Sequence, residues 1–218
     1  MKRKILNWND CSVEQFQEVQ EIISQDLTPT DFVLEVGDVF FELDEDITDK
    51  ELHDVKQSIS FIAKPIVCAL NDKNLKPFNK LTIAKFIDLD VTLVVNSFND
   101  ALAKVGAILY GLTEDEVLKL PVTDIYKAVT NYIQYRTEVY KKYPNLFDVG
   151  DDEEEEDDIE EGASTKPTDP ATIWMRTIFG LTQGDITKYT HTMTLSHILV
   201  FNWVSLSESL KSKKTKGI

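Results

Sequence analysis

The side chains best suited to chemistry are few, and their spacing does not suit it. The histidines are His53, His191 and His197. Two metal ligands share a helical face at a spacing of three or four, which His191 and His197 do not have. All three read as exposed or polar-face histidines. Cys11 and Cys68 match no metal-ligand spacing, and no His or Asn arrangement suggests a thiol nucleophile. They read as small buried hydrophobes, reduced rather than bridged. Carboxylate pairs such as Asp44/Asp46 and Asp88/Asp90 arise by chance when 38 of 218 residues are acidic. Asp44-Glu45-Asp46 lacks the glycine and terminal glutamate of a calcium loop. There is no phosphate-binding glycine loop, no dinucleotide turn and no Gly-x-Ser-x-Gly elbow. The expectation is a protein that is not an enzyme, with no catalytic residue, no metal and no cofactor.

What remains is the chemistry of contact. Trp174, Phe179, Phe201 and Trp203 crowd a short C-terminal stretch together with Tyr189. Aromatics at helical spacing are core residues by default. A segment this small cannot bury every large side chain, so some of the four are expected to hold an apolar helix of a partner. The other feature is the run Asp148 to Glu161, in which eleven acids leave almost nothing apolar. Such a run cannot offset the entropy of ordering its backbone, and it reads as a solvated tether. Two further readings are a mimic of duplex nucleic acid and a counter-charge for a basic partner.

These residues need elements to position them, and the helical period dominates the chain. The formal charge is −15, and without the eleven acids of the run it is −4. Near-neutral folded parts argue against nucleic acid as a partner, since phosphate binding needs a basic face. The one basic cluster, Lys211, Lys213, Lys214 and Lys216, reads as a solvated terminal tail. No apolar run approaches membrane-spanning length and no apolar stretch follows the basic N-terminus, so a soluble intracellular protein is expected.

Ser12-x-x-Gln15, Thr48-x-x-Glu51 and Thr113-x-x-Glu116 are capping boxes. Val13, Phe16, Val19, Ile22 and Ile23 stripe the first helix. Residues 32–43 suit helix or strand, with Gly37 weakening the helix that is favoured. Residues 81–87 read as a short buried helix, Asp90 as the cap of the next, and Gly111 as its stop. A long helix from Thr123 ends at Lys141-Lys142-Tyr143-Pro144. After the acidic run, helices begin at Pro170, at Thr182 or Asp185, and at Thr194, with Gly180 ending the first of them. No internal repeat is apparent. The expected architecture is all-α: a helical N-terminal domain over 1–147, an acidic flexible linker over 148–169 and a small three-helix module over 170–218.

Leu81-Thr-Ile-Ala-Lys-Phe-Ile-Asp-Leu-Asp90 with the helix through Tyr110, and Ile173-Trp174-Met-Arg-Thr-Ile-Phe-Gly180 with the helix at Asp185-Ile186, resemble segments of the tail assembly chaperones of long-tailed bacteriophages. The order of helical domain, charged linker and short helical extension is similar too. The resemblance implies a C-terminal module that recruits the tape measure protein, a long aggregation-prone helical chain. It implies an N-terminal domain that coats that chain or recruits tail tube subunits, in the cytoplasm of the infected host. Self-association is compatible with it. No catalytic residue carries over. The alternatives are a structural subunit of the virion, at the neck or tail, and an acidic inhibitor of a nucleic-acid enzyme.

Overall fold

The computed structural model describes residues 6–41, 43, 46–66, 77–147 and 170–215. The expected linker, Cys68 and the Asp44-Glu45 pair lie outside them. The described chain is all-α, in the order α1 (Val13–Ile23), α2 (Pro29–Phe40), α3 (Asp49–Ser58), α4 (Ile83–Val95), α5 (Phe98–Tyr110), α6 (Glu114–Leu118), α7 (Val122–Lys142), α8 (Pro144–Phe147), α9 (Pro170–Thr182), α10 (Ile186–Thr194) and α11 (His197–Thr215). Short 3-10 turns occupy Trp8–Asp10, Ser60–Ala63 and Phe78–Lys80. Among the described residues no helix is long and apolar enough to cross a membrane.

Local chemistry sets most boundaries. All three capping boxes close. At the first, the Gln15 N–H donates to Ser12 Oγ at 3.2 Å and the Ser12 N–H donates to Gln15 Oε1 at 3.1 Å. Residues 29–40 are helical, opened by a Thr28 cap and Pro29 in the first turn. Gly37, the weak point of that helix, is a packing requirement: a Cβ there would come within 2.6 Å of Val55 Cγ1 on α3. Gly111 stops α5 in the left-handed conformation, at φ 71°. Gly180 does not stop α9, which runs on to Thr182 before Gln183 and Gly184 turn the chain with φ of 55° and 76°. Asp185, not Thr182, caps α10, and α11 begins at His197 rather than after Thr194.

The fold divides into two compact units, one of residues 1–75 and 96–131, the other of residues 76–95 and 132–218. This corrects the expected division at residue 147. Residues 170–215 do not form a module of their own. Ile178, Val200, Phe201 and Val204 share one core with Ile83, Phe86, Val139 and Tyr143. A three-helix piece of this size has too little interior to stand alone, and α4, α7 and α8 supply the rest.

The two units also correct the absence of a repeat. In the first, Ser12 forms an isolated antiparallel bridge to Pro121, with Val13 N donating to Leu120 O at 3.0 Å and Val122 N to Cys11 O at 2.8 Å. In the second, Thr82 bridges Ser196, with Ile83 N donating to Leu195 O at 2.8 Å and His197 N to Leu81 O at 3.2 Å. A 3-10 turn precedes the bridge in both, at Trp8–Asp10 and at Phe78–Lys80. Cys11, Val13, Phe16 and Val19 match Leu81, Ile83, Phe86 and Leu89 in register, and all eight are buried. Across the bridges, Val122, Ile125 and Val129 match His197, Val200 and Val204, again all buried. Gly111-Leu-Thr113 recurs as Gly180-Leu-Thr182. The two units thus share the same local arrangement around their bridges.

Candidate partner-binding site

The four candidate aromatics separate into two pairs. Trp174 and Phe201 are core residues, 7% and 1% exposed, and their rings stack with centroids 5.8 Å apart. As surface anchors they are corrected by their burial. Phe179 and Trp203 are 64% and 68% exposed. Helix geometry requires the separation. Residues five apart on α9 and two apart on α11 point to different faces at about 100° per residue.

Trp203 stands on an outward face of α11 together with two further apolar residues. Leu199 and Leu206, one turn to either side of it, are 52% and 61% exposed. The opposite side of α11 carries Val200, Phe201 and Val204 into the core. The helix is therefore apolar on two faces, and its amphipathic pattern cancels. Beside the outer face lies a groove of about 540 Å³ between the end of α9, α10 and α11, walled by Leu181, Leu195, Leu199 and Trp203 with Lys188 and His191 at its polar edge. Phe179 lies over the turn after α9. Its ring occupies the space that a Cβ on Gly184 would enter, at 3.0 Å.

Behind this surface the core contains a polar anchor that the sequence did not reveal. Asp90, 4% exposed on α4, accepts from three donors on two other helices. Arg136 Nε on α7 donates to Oδ1, the Tyr140 hydroxyl donates to the same oxygen at 2.5 Å, and Trp174 Nε1 on α9 donates to Oδ2 at 2.7 Å. The Arg136 guanidinium also lies 4.5 Å over the Tyr140 ring. Burial, then the Asp90 charge, pushes the Tyr140 hydroxyl above its ordinary range and keeps it a donor. A small cavity of about 120 Å³ adjoins the anchor, lined by Asp90, Tyr140, Phe147 and Trp174 among others. With both carboxylate oxygens engaged, the arrangement ties three helices together.

His197 is a second correction. It is fully buried, not on a polar face. Its ring stacks on Phe86 with centroids 4.8 Å apart. Nδ1–H donates to Leu81 O at 2.8 Å, and Nε2 accepts from the Tyr135 hydroxyl at 2.8 Å. Burial depresses its pKa, which fits the neutral tautomer this pairing needs. His53, by contrast, is exposed and pairs with Gln57, and His191 is exposed. Cys11 is buried, and burial pushes its thiol up to about 12. Among the described residues no group of three or more His, Cys, Asp or Glu could hold a metal ion.

Compared with protein-family models, with curated proteins and with solved structures, the chain matches none.

Proposed function

We propose that this chain is a non-enzymatic assembly chaperone that holds an apolar helix of a client protein against the outer face of α11. The reading rests on one observation: Leu199, Trp203 and Leu206 are all more than half exposed along one face, beside an apolar groove. A row of large apolar side chains over a concave surface is the usual form of a site that takes an amphipathic helix. The resemblance of residues 81–110 and 173–186 to phage tail assembly chaperones names the client class. The client is a tape measure protein, with tail tube subunits as later partners, and the work is done in the cytoplasm of the infected host.

Co-expression with a candidate tape measure protein tests the reading. The two should co-purify, and Trp203→Ala with Leu199→Ser should abolish co-purification while the helical signal is kept. Purified virions should lack the chain. Its presence there in fixed copy number would make it a structural subunit and overturn the reading. Deletion of residues 170–218 is a poor test, because it removes half of a shared core.

A further inference from the structure

The surface around Trp203 is without charge, and that bears on what can cover it. No Asp, Glu, Lys or Arg occurs from Tyr189 to Ser207, where the chain's average of 28% charged residues would place about five. The stretch takes in most of α10 and the first half of α11. Among the described residues that line the groove, one alone is Asp, Glu, Lys or Arg. It is Lys188, which pairs with Asp185 at 3.6 Å. A helix surface that faces water normally carries charge. Its loss, together with a large exposed aromatic, marks the centre of an interface. A neutral face on a chain of net charge −15 favours one kind of occupant. A charged partner would give up hydration here and meet no opposite charge in return. Two copies of this chain repel each other as whole molecules, and are least opposed where neither presents a carboxylate.

The face is also complementary to itself. Leu199 stands four positions before Trp203 and Leu206 three after it, so the row reads nearly the same in both directions. Turned end for end, a second α11 sets its Leu206 toward Leu199 and its Leu199 toward Leu206. Trp203 is a knob, 68% exposed, beside a hole, the groove of about 540 Å³ walled by Leu181, Leu195 and Leu199. A knob and a hole on one surface fill each other across a two-fold axis, the isologous contact of most homodimers. The contact is small. The exposed parts of Leu199, Trp203 and Leu206 come to roughly 300–400 Å² per copy. That is about half of the roughly 800 Å² per partner found in stable complexes, so the pair is weak and exchanges.

We infer that a second copy of this chain covers the outer face of α11 in an antiparallel two-fold pair, with Trp203 of each copy in the groove of the other, and that a client must displace this pairing to be held. The displacement rests on the client-holding reading above; the pairing stands without it.

Sedimentation velocity of the full chain tests it. From roughly 1 to 200 µM the chain should show a monomer–dimer equilibrium. Trp203→Ala should weaken it by about thirtyfold or more, the loss of a central aromatic anchor. Phe179→Ala removes a ring that is 64% exposed but does not line the groove, and should leave the equilibrium as it was. Circular dichroism checks that each variant keeps its helix. Leu199→Lys and Leu206→Glu should each weaken the pairing. Mixing the two variants should restore it, because the antiparallel heterodimer sets the introduced charges against each other at one contact and native leucines at the other. Titration with the candidate tape measure protein should dissolve the dimer.

A monomer at all these concentrations, or a dimer that Trp203→Ala leaves intact, overturns the inference. A dimer lost equally in Phe179→Ala lies on another face and overturns it too. No recovery on mixing the charge variants overturns the antiparallel arrangement. A client held by an intact dimer overturns the displacement. A monomeric chain that still co-purifies with the tape measure protein through Trp203 sinks this inference alone. A dimer through Trp203 without co-purification sinks the chaperone reading and leaves the pairing standing.

Discussion

Removing the Asp90 carboxylate is the most informative perturbation of the core. Asp90→Ala strands the Arg136 guanidinium, the Tyr140 hydroxyl and the Trp174 N–H at once. Breaking a buried pair from one side costs about 3–5 kcal/mol. The Arg136 side chain is 23% exposed and can recover some water, which favours the lower end. Trp174 Nε1 cannot, and an unsatisfied buried donor costs about 1–3 kcal/mol. For a chain of this length, each kcal/mol moves the melting temperature by about 2–4 °C, so a drop of roughly 6–20 °C is expected. Asp90→Asn sharpens the test. It keeps the shape, but once its oxygen serves Arg136 and Tyr140 its amide N–H faces the Trp174 N–H. Trp174→Phe removes that conflict. Urea denaturation of the two single variants and the double variant should show a favourable coupling of about 1–3 kcal/mol between them. Simple additivity, or an Asp90→Ala variant within about 1 kcal/mol of the native protein, would refute the account of Asp90 as the anchor.

Three further outcomes follow from particular contacts. Gly37→Ala should destabilise by about 1–3 kcal/mol through overpacking against Val55, and Val55→Ala added to it should recover part of the loss, measured by thermal melting. The folded state holds His197 neutral, with its pKa below the ordinary value near 6.5. Its contribution is therefore complete above that value and is lost as pH falls below it, because the unfolded chain binds the proton first. His197→Val, which installs the residue found at the matching position 122, should reduce the fall in stability between pH 7 and 5; an unchanged slope would place the sensitivity elsewhere. The Tyr132 hydroxyl is buried with no hydrogen-bond partner among the described residues. Tyr132→Phe should therefore leave stability unchanged or raise it by up to about 1–2 kcal/mol, and a clear loss would reveal a partner.

What the sequence made legible is what a few neighbouring residues decide. The capping boxes at Ser12, Thr48 and Thr113 involve groups three positions apart and close as read. Gly111 and the helical stripes belong to the same class. Asp90 was read as a cap because it stands between two apolar stretches; in fact α4 passes through it and Ser97 caps α5. Its partners lie 46, 50 and 84 positions away, on helices whose meeting no local pattern encodes. His197 was misplaced for the same reason, since Leu81 and Tyr135 are 116 and 62 positions distant. Helical geometry already forbade Trp174, Phe179, Phe201 and Trp203 from sharing one face, but spacing alone could not say which of them turned inward. The repeat escaped notice because its copies agree in size and burial more than in identity: Cys11 stands for Leu81, and Val122 for His197.

The repeat also gives the buried charge a reason. The position of Asp90 on α4 is that of Gln20 on α1. In the first unit that residue makes one neutral contact, accepting from Asn99 Nδ2 at 3.4 Å. The same backbone therefore folds without a buried ion, and a charge at this site is not a demand of the unit. The second unit differs in how its helices arrive. Trp174 follows Asp90 by 84 positions, and between them the chain carries an acidic run with no apolar pattern to guide it. Apolar burial alone would accept α9 in several registers, since it rewards area and not direction. A carboxylate that is satisfied only when Trp174 Nε1 reaches it penalises every other register by an unpaired buried group. On this account Asp90 serves specificity more than stability. Replacing Asp90, Arg136, Tyr140 and Trp174 together by apolar residues of similar size should then cost little in melting temperature. The same replacement should broaden the amide spectrum of α9–α11 by admitting more than one seating. A quadruple variant with both the native melting temperature and the native line widths would show that packing alone sets the register.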